Sequence, residues 1–393
     1  MESKVINEGK VSIRVPQYEK ISSKAPVFYN PVMELNRDLS VAALTVFSRM
    51  VDHDITVCDT FGGTGIRGIR YVKEIEGVEK AIVNDLNPVA VEYAKENVLL
   101  NELEGVYVCK EDANIILRKC KGQFDVVDLD PFGTPSPFVD SAAHSIRAGG
   151  MICVTATDTS ALCGTYSEPC IRKYSAVPLK NEYCHENGLR ILAGFVARTF
   201  SKYKKFIEIK FSHSTEHYMR IYATVGKGGQ NTDNSLKSMG YIAHCMACMN
   251  RWVVKGLAPV ISDKCPICGG DINLGGPLWC GDMYDPEFVS SMIDTFKKSE
   301  LNTESTAIKL LETCLSESQA PISFYEIHKV CKNLKIGAPK LQDIIDLLKE
   351  DGYFVSKTHF SPTSIKTDAG IIELKRIILN LKTDPDKMPI PNV

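Results

Sequence analysis

The sequence predicts an α/β chain, with a Rossmann-like domain over residues 1–232 and a second region of different texture over 233–393. Three observations predict it. β-Branched runs alternate with helical patterns from about residue 55 to residue 156, a glycine-rich turn follows the first of these runs, and paired cysteines replace the pattern beyond residue 240. Such alternation builds a parallel sheet with crossover helices.

Strands are predicted at 55–59, 80–85, 105–109, 124–130 and 151–156, each followed by turn chemistry and then a helix. The helix over 89–100 shows the logic: Pro88 suits a first helical turn, and Val91, Ala94 and Val98 recur at helical spacing. A further helix over 186–201 leads to strands at 206–212 and 218–225, a pair that closes the sheet. Gly226-Lys227-Gly228-Gly229 then breaks the pattern and sets the domain boundary. Cysteine pairs and Gly-Gly turns occupy 241–282. From about residue 290 the chain is helical again, with Ala307, Leu310, Leu311 and Cys314 on one stripe and Leu341, Ile344, Ile345 and Leu348 on another. A hairpin pattern over 352–362 follows the second stripe, so a winged-helix-like module is expected over about 290–393.

Composition narrows the function. A formal charge of −2 excludes a protein that coats nucleic acid indiscriminately, because that affinity comes from neutralising many phosphates. A local basic face is still allowed: Arg198, Lys202, Lys204, Lys205 and Lys210 cluster against Glu208 alone, and Arg172, Lys173 and Lys180 fall in an expected loop. Solvated helix and loop surface explains those charges equally well. No stretch has the apolar length that crosses a bilayer, and no signal-peptide pattern follows Met1. A cytoplasmic protein is expected, without a membrane and without an evident obligate protein partner. Most of the fourteen cysteines, Cys58, Cys109 and Cys153 among them, sit singly in apolar runs and read as core residues.

The first predicted strand ends at Asp59 and runs into Phe61-Gly62-Gly63-Thr64-Gly65-Ile66-Arg67-Gly68. Glycines let the backbone turn tightly and bring its amides against a ligand. Gly63, Gly65 and Gly68 also satisfy the dinucleotide pattern G-x-G-x-x-G, which alone leaves a nicotinamide cofactor open. S-adenosylmethionine carries no phosphate, and its ammonium favours an acceptor such as Asp59. Asp85, ending the second strand, is placed for ribose hydroxyls in either cofactor, or for a turn. Asp112-Ala113 is placed by the adenine amine, and Asp112 equally suits a helix cap.

The fourth strand ends Asp128-Leu129-Asp130-Pro131-Phe132-Gly133. This looks like the D/N-P-P-[YFW] turn of amino-group methyltransferases. An exocyclic amine is a poor nucleophile because its lone pair is delocalised into the ring. A carboxylate and a backbone carbonyl that accept its N–H bonds turn the lone pair toward the methyl. Asp130 supplies the carboxylate and receives the proton, Pro131 fixes its carbonyl toward the pocket, and Phe132 stacks on the base.

Here the chain resembles a known family, the tRNA (guanine-26-N2)-dimethyltransferases of archaea and eukaryotes. The resemblance rests on Phe28-Tyr29-Asn30-Pro31, Asn36-Arg37-Asp38, 59–70, Asp130-Pro131-Phe132-Gly133, Tyr166-Ser167-Glu168-Pro169-Cys170, His185-Glu186-Asn187-Gly188-Leu189-Arg190 and 358–363. It spans essentially the whole chain and implies a class I S-adenosylmethionine-dependent methyltransferase acting on tRNA. It implies cofactor contacts at Arg37, Arg67, Asp85, Asp112 and Ala113, and a base-pocket wall at Phe28. The family product is the mono- and then dimethylated N2 amine of guanine 26. That amine lies inside a helical junction, so the base is expected to flip out. The absence of long basic tails suggests an archaeal type.

Cys245-x-x-Cys248 and Cys265-x-x-Cys268, sixteen residues apart, have the spacing of a four-cysteine zinc ribbon over about 241–282. Four thiolates close the tetrahedron, so the zinc is structural. His244 and Cys280 are poorer substitutes, and Cys163, Cys170 and Cys184-His185 are too irregularly spaced for a metal assignment. Three rivals stay open from the residues alone: an NAD-dependent dehydrogenase with structural zinc, a non-catalytic nucleic-acid-binding protein, and an amino methyltransferase acting on adenine, cytosine or glutamine.

Overall fold

The computed structural model describes residues 2–17, 27 and 29–382; Phe28, the expected pocket wall, lies outside the described residues. Contacts divide the chain into two compact units, one of 1–159, 195–236 and 282–315, the other of 160–194, 237–281 and 316–393. The expectation was one cut after residue 232. The units interleave instead, because sequence neighbours are not the partners that bury each segment's apolar face. Residues 282–315 illustrate it. Helix Pro286–Phe296 buries Phe288, Val289, Met292, Ile293 and Phe296 and packs on α1 (Glu34–Ser48), far earlier in the chain.

The first unit opens with an unexpected antiparallel hairpin, β1 (Ser3–Glu8) and β2 (Val11–Pro16), turning at Gly9 with φ +55°. After α1 the chain alternates β3 (Ile55–Asp59), α2 (Ile66–Glu74), β4 (Val78–Asn84), α3 (Pro88–Leu100), β5 (Val106–Cys109), α4 (Ala113–Lys119), β6 (Phe124–Leu129), α5 (Val139–Ser145) and β7 (Ile146–Ala156). Two long strands, β8 (Lys205–Thr215) and β9 (Tyr218–Lys227), complete a sheet of order β5-β4-β3-β6-β7-β9-β8. β3 to β7 pair in parallel, and β9 pairs antiparallel with both β7 and β8, so the pair does close the sheet.

β6 is buried along its whole length, which explains its apolar run of Phe124, Val126, Val127 and Leu129. β2 packs Val11, Ile13 and Val15 against Ile66, Ile69 and Val83. Asn97 of α3 and Asn101, which caps its carboxyl end, secure it by accepting from the amides of Arg14 (2.7 Å) and Ser12 (3.0 Å). Strand order reverses between β3 and β6, and sheets of this kind bind ligands beyond the carboxyl ends of their strands at such a point.

In the second unit β10 (Met239–Cys245), β11 (Arg251–Lys255) and β12 (Ile272–Trp279) form an antiparallel sheet of order β11-β10-β12. A separate sheet orders β13 (Tyr325–Glu326), β15 (Ser361–Thr367) and β14 (Val355–Thr358) as β13-β15-β14. Helices Ile327–Leu334, Leu341–Glu350 and Ile371–Asn380 cover it, and Val330, Ile344, Ile345, Leu348, Ile365, Leu374 and Ile378 fill its core. Arg172 and Lys173, expected in a loop, lie in helix Ser167–Tyr174, and the expected break at 226–231 runs into helix Gly229–Leu236. Among the described residues no helix is long and apolar enough to cross a membrane.

Candidate active site and cysteine quartet

The carboxyl ends of β3, β4, β5 and β6 bring together most of the expected site residues. Asn84 ties the loops beyond them, its Nδ2 donating to the carbonyls of Thr60 (3.2 Å) and Glu111 (3.1 Å). In the glycine turn, Gly63 and Gly65 take positive φ of +55° and +80°, conformations that cost a side chain energy. Gly65 also lies against α3, where an added Cβ would stand 3.1 Å from the Cβ of Ala94.

The amides of this turn have protein acceptors. Gly63 N donates to Asp85 Oδ2 (2.9 Å), Gly68 N to Asp59 Oδ2 (3.1 Å), and Gly62 N to the Asn84 carbonyl (2.7 Å). A pyrophosphate needs such amides free and away from carboxylates, so two acids at the turn oppose a dinucleotide. They suit a ligand that presents hydroxyls and an ammonium. The acceptor set therefore fits S-adenosylmethionine better than a nicotinamide cofactor.

Individual placements refine the expectations. Asp85 also braces the turn, since Oδ1 accepts from Asn87 N at 2.8 Å, and each of its oxygens keeps capacity for a second donor. Asp112 caps α4 by accepting from Asn114 N (2.8 Å) and Ile115 N (3.3 Å), with buried Ala113 as the first helical residue. Asp59 is 1% exposed, and burial, together with Asp128 beside it in register, pushes its carboxyl up to about 7. Arg37 is bidentate to Glu8 of the unforeseen hairpin, with both contacts at 2.6 Å. Arg70 joins that group through Glu8 (2.8 Å) and Asp38 (2.7 Å).

Arg67 reaches the Asp130 turn rather than open space. The residue is 6% exposed, and its guanidinium donates to Ser40 Oγ (2.9 Å) and Asn36 Oδ1 (2.8 Å) and forms a close ion pair with Asp130 Oδ2. Beneath it, Arg220 of β9 is bidentate to buried Asp128 (3.1 and 2.8 Å), and Tyr71 OH donates to the same carboxylate at 2.6 Å. Burial alone raises the Asp128 carboxyl, but Arg220 and Arg67 hold it below its usual range. Asp128 and Arg220 were not singled out from the sequence. Strand alternation puts Asp128 on the same face as Asp130, whereas nothing in the sequence links Arg220 to them.

At the turn the Asp130 side chain is 18% exposed and the ring-bearing residue Phe132 is 58% exposed. Gly133, at φ +81°, staples the turn to the end of β7: its amide donates to Thr157 Oγ1 (2.7 Å) and its carbonyl accepts from Thr157 N (2.9 Å).

The basic cluster does not form one open face. Lys205 is buried, donates to the carbonyls of Ala143 (2.7 Å) and Ile146 (2.5 Å), and burial beside Lys227 lowers its ammonium to about 8. Lys210 pairs with Asp285 at 2.9 Å and Lys202 with Asp140 at 3.4 Å.

In the second unit, Cys245, Cys248, Cys265 and Cys268 converge at the loops beyond β10 and before β12. Sulfurs of Cys245 and Cys268 are 3.5 Å apart, and those of Cys248 and Cys265 are 3.6 Å apart. A tetrahedral ion with metal–sulfur bonds of about 2.3 Å separates its ligands by about 3.8 Å, so the quartet is sized for one. Ile267 N donates to Cys265 Sγ at 3.4 Å, as suits a thiolate.

Comparison with known proteins agrees with this architecture along nearly the full length. The family model described as N2,N2-dimethylguanosine tRNA methyltransferase matches residues 9–379. The tRNA (guanine(26)-N(2))-dimethyltransferase of Methanosphaera stadtmanae is 54% identical, covering 98% of this chain and 98% of that protein. The Methanobrevibacter smithii protein of the same name is 52% identical, covering 97% and 98%. A solved structure of Trm1 from Pyrococcus horikoshii in complex with S-adenosyl-L-methionine is 35% identical, with a TM-score of 0.86, covering 95% of this chain and 99% of that one. The chain belongs to the N2,N2-dimethylguanosine tRNA methyltransferase family.

Proposed function

We propose that the chain transfers one and then a second methyl group from S-adenosylmethionine to the exocyclic N2 amine of guanine 26 in tRNA. The observation that carries this reading is the Asp130–Phe132 turn at the switch point of the sheet, with its carboxylate and its ring both reachable from outside.

S-adenosylmethionine, when bound, supplies an electrophilic methyl whose carbon–sulfur bond breaks with the electron pair staying on sulfur. The protein positions the amine. Arg67 engages Asp130 Oδ2, which leaves Oδ1 to accept one N–H of the guanine amine. The carbonyl of Pro131 accepts the other, and Phe132 stacks on the flipped base. As the nitrogen–carbon bond forms, Oδ1 receives the proton that the nitrogen gives up. In the second transfer a single N–H remains, and Asp130 alone suffices to orient it. Asp85 and the start of α4 at Asp112-Ala113 hold the adenosine portion. Asp59 sets a negative field beneath the glycine turn, which favours the ammonium, and Arg37 and Arg67 brace the entrance through Glu8 and Asp130.

Zinc in the cysteine quartet is structural, because four thiolates leave no open position. The quartet and its strands form a zinc ribbon, and the helices around β13–β15 a winged-helix-like module. Together with the methyltransferase domain they engage tRNA in the cytoplasm. Unmodified tRNA transcripts incubated with methyl-labelled cofactor and digested to nucleosides should yield mono- and then dimethylguanosine. A transcript with adenine at position 26 should take up no label. Label in adenosine, or equal label in both transcripts, would reject the assignment.

A further inference from the structure

Three metal-type ligands that the sequence leaves scattered meet in the second unit, away from the cysteine quartet. The sulfurs of Cys163 and Cys184 and a ring nitrogen of His185 all lie within 4.8 Å of one another. Cys163 Sγ stands 3.7 Å from His185 Nδ1. Zinc bonds of about 2.3 Å to sulfur and about 2.0–2.1 Å to nitrogen place tetrahedral S and N ligands about 3.6 Å apart. The observed separation is that of two ligands on one ion.

The approach is built into the backbone. Gly164, next to Cys163, takes φ +81°, and a Cβ there would stand 3.0 Å from Lys180 N and 3.2 Å from the Leu179 carbonyl carbon. Only glycine lets the Cys163 loop close on the segment that enters helix Cys184–Ser201, whose first two residues supply the other ligands. Cys163 is buried, while Cys184 and His185 are half-buried.

We infer that Cys163, Cys184 and His185 bind a second zinc-type ion that clasps the loop carrying helix Ser167–Tyr174. Two thiolates and an imidazole suit a borderline-soft divalent ion rather than magnesium or calcium. Three protein ligands leave a fourth position for water, on the half-buried side.

Metal per chain, measured by inductively coupled plasma mass spectrometry on full-length protein purified in a phosphine reductant, should be higher by one ion in the wild type than in Cys163→Ala/Cys184→Ala. The quartet's ion cancels in that difference. Equal metal content overturns the site. If the double variant does not fold, zinc X-ray absorption on the wild type decides. Imidazole scattering is expected, because the quartet has no histidine, and an all-sulfur shell overturns the proposal.

Discussion

Asp59 and Glu317 are both buried acids, one in each unit, and their surroundings drive them in opposite directions. Asp59 accepts from Gly68 N, while the nearby guanidiniums of Arg67 and Arg220 contact Asp130 and Asp128. Burial and Asp128 raise it to about 7. Glu317 is also pushed up by burial, but His359 and Lys366 pull it down to about 2, with Thr358 Oγ1 donating to it at 2.7 Å. In the first region the cations go to Asp130 and Asp128, at and beside the turn proposed to meet substrate. In the second, the charges pair with one another: Lys366 also pairs with Glu186 at 2.8 Å, and Glu186 with Arg190 at 2.9 Å. A functional site tolerates a frustrated carboxylate that a structural joint does not.

The largest expected effect separates the regions by chemistry. Asp130→Ala removes the acceptor for the amine and should lower the methyl-transfer rate at saturating tRNA by about 10²- to 10⁴-fold. Cofactor affinity by calorimetry should change less than threefold, on the order of 0.6 kcal/mol. An unchanged rate would take Asp130 out of the mechanism. Glu317→Gln acts on the other region. It leaves His359 without its carboxylate and Lys366 with only Glu186, and should cost about 3 kcal/mol in urea unfolding of the second unit. Glu317 is lowered, so its contribution is complete above the unfolded value of 4.5 and lost as pH falls toward about 2. A variant as stable as the wild type at pH 7 would show that the cluster is not coupled.

Much of the fold was legible because each strand of the parallel sheet is a short apolar run closed by turn residues and followed by a helix, although the spatial order β5-β4-β3-β6-β7 is not that of the chain. The hairpin β1–β2 was not legible: Val11, Ile13 and Val15 alternate over only six residues, and the burial they achieve depends on α2 and α3. The turn at Asp130 announced itself through Pro131 and Phe132. Its support did not, because Arg67, Asp128 and Arg220 come from α2, β6 and β9, brought together only by sheet order. Asp112 could be read two ways, and its geometry is that of a cap. The cysteine quartet was visible because its ligands come in tight pairs, whereas Cys163 and His185 are twenty-two residues apart and meet through the close approach at Gly164.

The smallest effect tests whether Asp59 is frustrated. Its folded value of about 7 lies above the ordinary 3.8, so the folded state holds a proton that the unfolded state has released between those values. Its favourable contribution is therefore complete below about pH 4 and is lost as pH rises through 7. Asp59→Asn keeps an oxygen for Gly68 N–H and removes the charge beside Asp128. At pH 8 the variant should unfold at a temperature equal to or a few degrees above wild type, about 1 kcal/mol at most. Between pH 5 and 8 its melting temperature should also decline less than that of the wild type. Parallel melting curves for the two proteins across that range would mean that Asp59 stays ionised throughout, and that some cation or donor at the glycine turn already compensates it.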